Sequence, residues 1–522
     1  MQERIGIVGA GINGLVAANY LQRAGFAVTI IEKRDIIGGA CKEDTVSFKG
    51  ELFQYACGAS VLGFMQDFVF DETGLSNRLS TVTPEHPEIV YFENEKTHCV
   101  LHGDSSRRAQ EVREKWGELG DVEKFDNDLA RVVEFLRDGF KSAQVPTLEL
   151  AEEVLGKEMT ALWITGSARA LIDHYFTSES MRIFYAIDVV ESGPVSLDSP
   201  YSAFSVALMA SGTVFNGQWG FVRGRIWRLP QELEKINREL GVKVLTSAQV
   251  LQVDAEPPLI VYLDRDGNEQ LLECDRIIFA SDPVTAAKLA NQPQLIKQSH
   301  SKAILGTSGK LVLFFKRPVV WQGQKDAVEY PDFDMAFKFI VCVSTVDEFD
   351  RASAQAEANE QDYVPTVLEI YCEGAAMRSF GDDCGYDVVS VFIKHCSFDR
   401  PGAELPEVQH RIEEQILAFV ENREEFIGSV FLTPKDLQTR FDFPGGNIDH
   451  IELCDKQTYF ARNWSPDPAT NFYQFGESEN ILYCAAGSYP CGSIAGTPGY
   501  MCARQLKETL SIVRAHSTTK TD

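Results

Sequence analysis

The sequence predicts an α/β fold with more than one domain, and three observations support this prediction. The chain has 522 residues, which is longer than one hydrophobic core usually spans. Residues 4–32 follow the order strand, glycine-rich turn, helix, strand and acidic residue. A second glycine-rich turn joins an apolar strand to a helix between residues 481 and 513.

The first turn, residues 9–14, reads GAGING and directly follows the apolar strand 4–8. Gly9 permits the tight turn, Gly11 lets the backbone approach a pyrophosphate, and Gly14 lets the helix pack closely on the strand. The N-terminus of the following helix offers free N–H groups and a partial positive charge. This arrangement predicts a dinucleotide-binding site.

A carboxylate follows at the spacing that such a site requires. Glu32 closes the second apolar strand, residues 27–31, and lies 18 residues after Gly14. It is placed to accept hydrogen bonds from the ribose hydroxyls, and it argues against a 2′-phosphate. The turn and the acid do not by themselves distinguish NAD from FAD.

The charge balance excludes one class of partner. The chain has 76 acidic and 49 basic residues, a formal net charge of −27, and no basic block. A nucleic acid partner is therefore not expected, because phosphate binding requires clustered lysines and arginines. No run of about 18 apolar residues predicts a membrane helix. A peripheral contact with a membrane surface remains an open alternative.

The twelve cysteines are scattered without a CxxC pair, and no secretory signal precedes the first strand. We therefore expect reduced thiols, a cytoplasmic location and no metal site.

Several segments resemble one known family. Residues 32–40, EKRDIIGGA, place a diglycine just past the acid, and this resembles the extension in FAD enzymes of the amine oxidase and phytoene desaturase superfamily. Residues 487–499, GSYPCGSIAGTPG, resemble the C-terminal turn with which that superfamily covers the pyrophosphate and the isoalloxazine. Residues 432–437 and 443–450 resemble two signatures of its phytoene-dehydrogenase-like branch. The diglycine is followed by Ala40 and Cys41, whereas many amine oxidases have an arginine there, and this argues against the monoamine oxidase branch.

The resemblance implies a Rossmann-like FAD-binding domain of the glutathione reductase type with an inserted α+β substrate domain. We expect the FAD-binding domain at 1–95, 212–300 and 430–512, the substrate-binding domain at 96–211 and 301–429, and a flexible tail at 513–522. Within the substrate-binding domain, the residue patterns predict strands at 308–316 and 388–393, a helix at 407–420, and loops at 322–335 and 351–363.

The resemblance also implies non-covalent FAD and the residues that contact it. They lie in the first turn, the second strand, the diglycine, the middle of the chain and the C-terminal turn: Gly9, Ala10, Gly11, Asn13, Gly14, Glu32, Lys33, Gly38, Gly39, Ala40, Val250, Ala280, Gly487, Gly492, Ser493, Gly496 and Thr497. His450 and Tyr489 are the candidate catalytic residues, because they lie in the two C-terminal motifs expected near the flavin.

Four functions are compatible with these features. The first is an FAD-dependent oxidoreductase that removes hydride from a C–H bond of a small, largely apolar molecule, forming C=C or C=N. The second is a flavin-dependent amine oxidase, and the third is a redox-neutral isomerase or saturase that uses reduced FAD. A non-catalytic prenyl-binding protein is disfavoured, because it has little reason to keep the whole set of FAD motifs. The expected partners are a small-molecule substrate and an electron acceptor, which is oxygen, a quinone or another carrier.

Overall fold

The computed structural model describes residues 2–85, 88–93, 98–360, 365–382, 384–402, 404–455 and 457–518, with side chains through residue 510. Its strands are β1 (Arg4–Val8), β2 (Ala27–Ile31), β3 (Glu43–Phe48), β4 (Glu51–Ala56), β5 (Thr81–Val82), β6 (Glu88–Phe92), β7 (His98–Leu101), β8 (Phe221–Val222), β9 (Lys243–Leu245), β10 (Gln249–Ala255), β11 (Pro258–Leu263), β12 (Glu269–Glu273), β13 (Arg276–Phe279), β14 (Gly309–Phe315), β15 (Phe337–Val341), β16 (Val367–Tyr371), β17 (Asp387–Lys394), β18 (Phe426–Leu432) and β19 (Ile481–Tyr483).

The helices in the same part of the chain are α1 (Ile12–Arg23), α2 (Asp67–Glu72), α3 (Ser105–Trp116), α4 (Val122–Ser142), α5 (Leu148–Leu155), α6 (Lys157–Met159), α7 (Ala168–Tyr175), α8 (Glu179–Ala186), α9 (Phe204–Met209), α10 (Arg228–Glu239), α11 (Pro283–Leu289), α12 (Pro293–His300), α13 (Val346–Ala358), α14 (Glu373–Ser379), α15 (Leu405–Leu417), α16 (Pro434–Phe441) and α17 (Thr497–Thr518). Single 3₁₀ turns span Leu75–Asn77, Ile187–Val190, Arg423–Glu425 and Tyr459–Ala461, and a π-helical turn spans Thr160–Ile164.

The first sheet contains the strand of the opening motif at its centre. Its five strands are all parallel and have the order β19-β13-β1-β2-β9. Val8 of β1 lies beside Ile31 of β2 on one side and Phe279 of β13 on the other. Strands from both ends and from the middle of the chain meet in this sheet, and the predicted Rossmann-like fold is confirmed.

The two faces of this sheet are covered differently, because side chains alternate along each strand. Ile5 and Ile7 of β1 face the core that α1, α10 and α17 share. On the opposite face, a Cβ atom at Gly6 would lie 2.6 Å from Ile260 Cδ1 in the antiparallel sheet β10-β11-β12. The glycine therefore lets the smaller sheet pack directly on the central strand.

The second large sheet has seven strands in the order β18-β14-β17-β16-β15-β6-β7. Its neighbours are antiparallel except for β15 and β6, which are parallel. The predicted strands at 308–316 and 388–393 are found here as β14 and β17, and the predicted helix at 407–420 is found as α15. This mixed sheet with its surrounding helices confirms the α+β character predicted for the inserted part.

One predicted loop differs from the structure, and two further observations concern the predicted domain limits. The sequence predicts a loop at 351–363, but residues 351–358 belong to α13, because Thr345 and Glu348 form a capping box and apolar side chains recur on one face. Residues 361–363 lie outside the described residues. Strand β6 pairs with β15 and so belongs to the seven-stranded sheet, although the sequence predicts it within the FAD-binding domain. Helix α17 continues to Thr518, and residues 519–522 of the predicted tail lie outside the described residues. The domain limits as a whole stay a prediction.

No helix in the described part of the chain is both long enough and apolar enough to cross a membrane.

Asn237 joins α10 to α1 inside the core, where its side chain is fully buried. Its Nδ2 donates to Leu15 O and its Oδ1 accepts from Asn19 Nδ2, both at 2.8 Å. We expect Asn237→Ala to lower the free energy of unfolding by about 2–4 kcal/mol, because two buried polar groups lose their partner. Urea unfolding followed by circular dichroism measures the change.

The matched control is Gln294→Ala, at an exposed position of α12, which should alter stability by less than about 0.5 kcal/mol. Equal stability of Asn237→Ala and the wild type would contradict this role of Asn237.

Candidate active site

One large cavity lies at the carboxyl end of the parallel sheet, where α/β folds bind their ligands. Its volume is about 450 Å³, within the usual range of ligand pockets. Residues that follow β1, β2, β13 and β19 form part of its wall, and residues of β14, β16 and β17 form another part. The cavity therefore lies between the parallel sheet and the seven-stranded sheet.

The glycine turn borders the cavity with backbone atoms. Gly9 has φ +108°, a backbone conformation that residues other than glycine rarely adopt. A Cβ atom at Gly14 would lie 2.4 Å from Gly9 O and 2.9 Å from Ala280 Cβ, so that only glycine fits there. A Cβ atom at Gly11 would meet nothing within 4 Å, because this residue faces open space. The turn thus presents the N-terminus of α1 to the cavity, as phosphate binding requires.

Glu32 is fixed at the edge of the same turn. Its Oε2 accepts a hydrogen bond from Ala10 N at 2.8 Å, and its Oε1 accepts one from Arg34 N at 3.0 Å. The carboxylate is buried but still borders the cavity. Because each oxygen can accept a second hydrogen bond, Glu32 retains the capacity to bind ribose hydroxyls.

Two basic side chains after Glu32 connect this edge to α16. Asp442 Oδ2 contacts Lys33 Nζ at 2.8 Å and also contacts Arg34 Nη2. Arg34 Nη2 additionally donates to Arg440 O at 3.0 Å. These ion pairs hold the end of α16 against the segment that carries Glu32.

Arg462 holds the C-terminal part of the wall together. It is fully buried, and its guanidinium donates to the carbonyls of Asp449, Ile451 and Ala486. Asp449 Oδ1 in turn accepts from Gly492 N at 3.0 Å, and burial raises the pKa of this carboxyl to about 6. The segment around residue 450 and the C-terminal turn are therefore fixed to each other at the cavity.

Polar atoms without protein partners face the cavity. Among the described residues, Asn13 Oδ1, Ser281 Oγ and His450 Nδ1 are buried and have no hydrogen-bond partner, and all three residues line the cavity. Buried polar atoms are rarely left unpaired in folded proteins. They fit a ligand such as FAD, whose phosphates, ribityl hydroxyls and ring edges offer hydrogen-bonding groups along its whole length.

The structure brings together most of the predicted cofactor residues, although their contacts with FAD stay a prediction. Those that line the cavity are Gly9, Gly11, Asn13, Glu32, Lys33, Gly38, Gly39, Ala40, Val250, Ala280, Gly492 and Ser493. The others are not among the lining residues, and they are Ala10, Gly14, Gly487, Gly496 and Thr497.

The two candidate catalytic residues have different positions. His450 lines the cavity, and burial together with Arg462 lowers its pKa to about 3, so that its imidazole is neutral at physiological pH. Tyr489 does not line the cavity, because its ring packs among Phe140, Tyr459 and Phe472. This position does not support the catalytic role that the sequence suggests for Tyr489.

Lys310 is a cavity residue that the sequence reasoning missed. It lies on β14, is buried, and its Nζ donates to Gly58 O and Ser60 Oγ. Burial lowers its pKa to about 8. The sequence offers one indication of this role, since Lys310 interrupts the otherwise apolar strand GKLVLFF. A strand pattern alone, however, does not show whether such a lysine faces a cavity. Lys310 is therefore a lysine that can lose its proton near physiological pH.

Known proteins resemble the chain over half or more of its length. The pyridine nucleotide-disulfide oxidoreductase domain-containing protein 2 of Rattus norvegicus is 24% identical, with 94% of this chain and 91% of the rat protein aligned. The 4,4'-diapophytoene desaturase of Staphylococcus haemolyticus is 25% identical, with 55% of this chain and 56% of that enzyme aligned. Wild-type putrescine oxidase bound to putrescine has a similar fold over 99% of both chains, with a TM-score of 0.59 and 17% identity.

The fold and the cavity together define a flavoprotein with a Rossmann-like FAD-binding fold. The family model for flavin containing amine oxidoreductases matches residues 12–340, which is more than half of the chain. The chain therefore belongs to the flavin containing amine oxidoreductase family. It is an FAD-dependent oxidoreductase, and FAD is its cofactor.

Gly14→Ala tests the glycine turn. The added methyl group would collide with Gly9 O, and the turn must shift away from the position that binds phosphate. Overpacking of this kind costs about 1–3 kcal/mol, so we expect the affinity for FAD to fall roughly tenfold to hundredfold. Quenching of flavin fluorescence during titration with FAD measures the dissociation constant.

Gly139→Ala is the control, because a Cβ atom at this position of α4 would meet nothing within 4 Å. Unchanged FAD affinity in Gly14→Ala would contradict the close packing described for the turn.

Proposed function

We propose that the protein oxidises a C–H bond of a small, largely apolar molecule and that the product contains a new C=C or C=N bond. The observation that carries this proposal is the continuity of the cavity. The wall that includes the glycine turn and Glu32 also includes the apolar side chains of Val61, Trp219 and Phe392. When bound, FAD supplies the acceptor for the hydride, and the protein supplies position and electrostatics.

The related proteins favour two forms of this reaction. One relative is named a desaturase, which forms C=C bonds, and a structural neighbour is putrescine oxidase, which was studied with putrescine bound. Desaturation of an apolar molecule is our main proposal, and oxidation of an amine to an imine is the second. A redox-neutral isomerase or a saturase would use the same cavity with reduced FAD.

The electron acceptor in the proposed reaction is oxygen, a quinone or another carrier. A quinone would require a peripheral contact with a membrane, because long-chain quinones reside in lipid.

Reduction of the bound flavin tests the proposal. FAD-loaded protein is titrated without oxygen, first with a polyene, then with amines and then with a long-chain alcohol as control. Loss of the oxidised flavin absorption with one of the first two classes identifies the reaction. If neither polyenes nor amines lower the absorption of the oxidised flavin, although dithionite does, the proposed dehydrogenation is wrong.

Lys310 is the residue that we propose to handle a proton during this reaction. Its Nζ donates to two neutral acceptors, Gly58 O and Ser60 Oγ, and Lys310 lines the cavity. Because an ammonium group has three N–H bonds, one N–H, or the lone pair of the neutral amine, is left for a ligand. Above a pH of about 8 the amine is mostly neutral and able to accept a proton, whereas below this pH it is mostly charged. The neutral amine is the form that acts as a general base.

We therefore expect the rate of flavin reduction to rise with pH through about 8 in the wild type. Lys310→Met should slow the reduction roughly 10²–10⁴-fold and remove this step from the pH profile, because the proton acceptor is lost. Stopped-flow absorbance between pH 6 and about 10 measures both effects.

Lys310→Arg is the informative companion variant. The guanidinium keeps a positive charge but does not lose its proton in this range, so it should be slow at every pH. A pH step near 8 that persists in Lys310→Met would assign it to another group and exclude Lys310 as the base.

A further inference from the structure

The face of the seven-stranded sheet that carries Lys310 also carries a buried ion pair. Glu373, the first residue of α14, accepts a hydrogen bond from Ser390 Oγ of β17. Its Oε2 lies 3.9 Å from Arg225 Nε. The side chains of Glu373 and Arg225 are only 1% and 4% exposed, so water screens their charges weakly.

The register of the sheet places this pair beside Lys310. Lys310 of β14 pairs with Phe392 of β17, and Ser390 lies two residues before Phe392 on the same strand. Lys310 and Ser390 are therefore diagonal neighbours on one face of the sheet, about 7–8 Å apart. Because Glu373 is hydrogen-bonded to Ser390, its carboxylate is one hydrogen bond away from a direct neighbour of Lys310.

The charges of the pair are only partly compensated. Within the described part of the chain, Glu373 Oε2 and Arg225 Nη2 are buried and have no hydrogen-bond partner. Arg225 Nη1 donates to Gln54 O at 2.6 Å, but this acceptor is neutral. A charge in the interior acts over a longer distance than a charge at the surface. Burial accordingly lowers the pKa of Lys310, and Glu373 acts in the opposite direction and raises it.

The other titratable groups around Lys310 contribute less charge. The thiols of Cys41 and Cys57 lie near it, and burial raises the pKa of both, so that they are uncharged where Lys310 titrates. Further charged groups on the neighbouring elements form hydrogen-bonded ion pairs, and these are Asp44 with Arg440 and Lys394 with Glu191 and Glu369. Glu373 differs from them, because no hydrogen bond joins it to Arg225.

We propose that Glu373 and Arg225 are positioning residues that determine how readily Lys310 gives up its proton. The carboxylate holds the proton on the amine, and the guanidinium opposes this effect. The consequence for catalysis rests on the proposed function, in which neutral Lys310 accepts a proton. The pair then sets the lower limit of the pH range in which that reaction is fast.

A titration without substrate tests this inference. Carbon-13 NMR of FAD-loaded protein labelled at lysine Cε follows the charge of the lysines, and Lys310→Met assigns the Lys310 signal. We expect this signal to titrate near pH 8 in the wild type. Glu373→Gln should lower the midpoint by about one pH unit, because a negative charge about 8 Å away in the interior is lost. Arg225→Met should raise the midpoint, because a positive charge is lost.

Three further variants separate charge from structure. Glu373→Asp and Arg225→Lys keep the charges and should keep the midpoint of the wild type. Glu452→Gln is the matched control, because it neutralises a buried carboxyl that does not line the cavity, and it should leave the midpoint unchanged. Loosening of the fold would hydrate Lys310 and raise its midpoint, so the decrease expected in Glu373→Gln cannot have this cause.

A midpoint in Glu373→Gln that equals or exceeds that of the wild type would overturn the inference. If this variant does not fold, equal midpoints in Arg225→Met and Arg225→Lys would overturn it instead. The rate of flavin reduction tests the proposed function separately. If the NMR midpoint falls in Glu373→Gln but the pH step of flavin reduction does not move with it, the inference stands and Lys310 is not the base.

Discussion

The cofactor half of the structure depends on direct backbone contact between elements from the two ends of the chain. A Cβ atom at Gly14 would lie 2.4 Å from Gly9 O, and one at Gly499 would lie 2.1 Å from Asn13 O. These glycines let α1 begin immediately on β1 and let α17 cross α1 without side chains between them. Because α1 begins beside the cavity, a larger residue at Gly14 would move the backbone N–H groups that are available to phosphate.

The two sheets contribute to the cavity in different ways. The parallel sheet offers mainly backbone groups together with the firmly held carboxylate of Glu32, and this suits a cofactor that stays bound from one reaction cycle to the next. The seven-stranded sheet offers side chains such as Lys310, Phe392 and Tyr371, which project from adjacent strands of one face. Substitutions in the second sheet can therefore change substrate and rate without disturbing the glycine turn at which we expect the cofactor to bind.

The same division explains which features the sequence predicts. The glycine turn, Glu32 and the C-terminal turn are recognisable because their residues are close together in the sequence and their spacing has a steric reason. The position of Lys310 at the cavity becomes visible only when strand register brings distant segments together, and no local pattern contains that register. Tyr489 illustrates the converse, because it lies within a recognised motif but its ring packs into an aromatic cluster away from the cavity. Helix α13 was missed because its acidic, alanine-rich segment was interpreted by composition rather than by its capping box.

Two buried lysines on the seven-stranded sheet show how their partners set the charge. Burial lowers the pKa of Lys310 to about 8, because its nearest acceptors, Gly58 O and Ser60 Oγ, are neutral and do not compensate for lost hydration. Burial acts on Lys394 in the same direction, but Glu191 and Glu369 outweigh it and raise the pKa of Lys394. One lysine is thereby suited to exchange a proton and the other to hold two carboxylates in place.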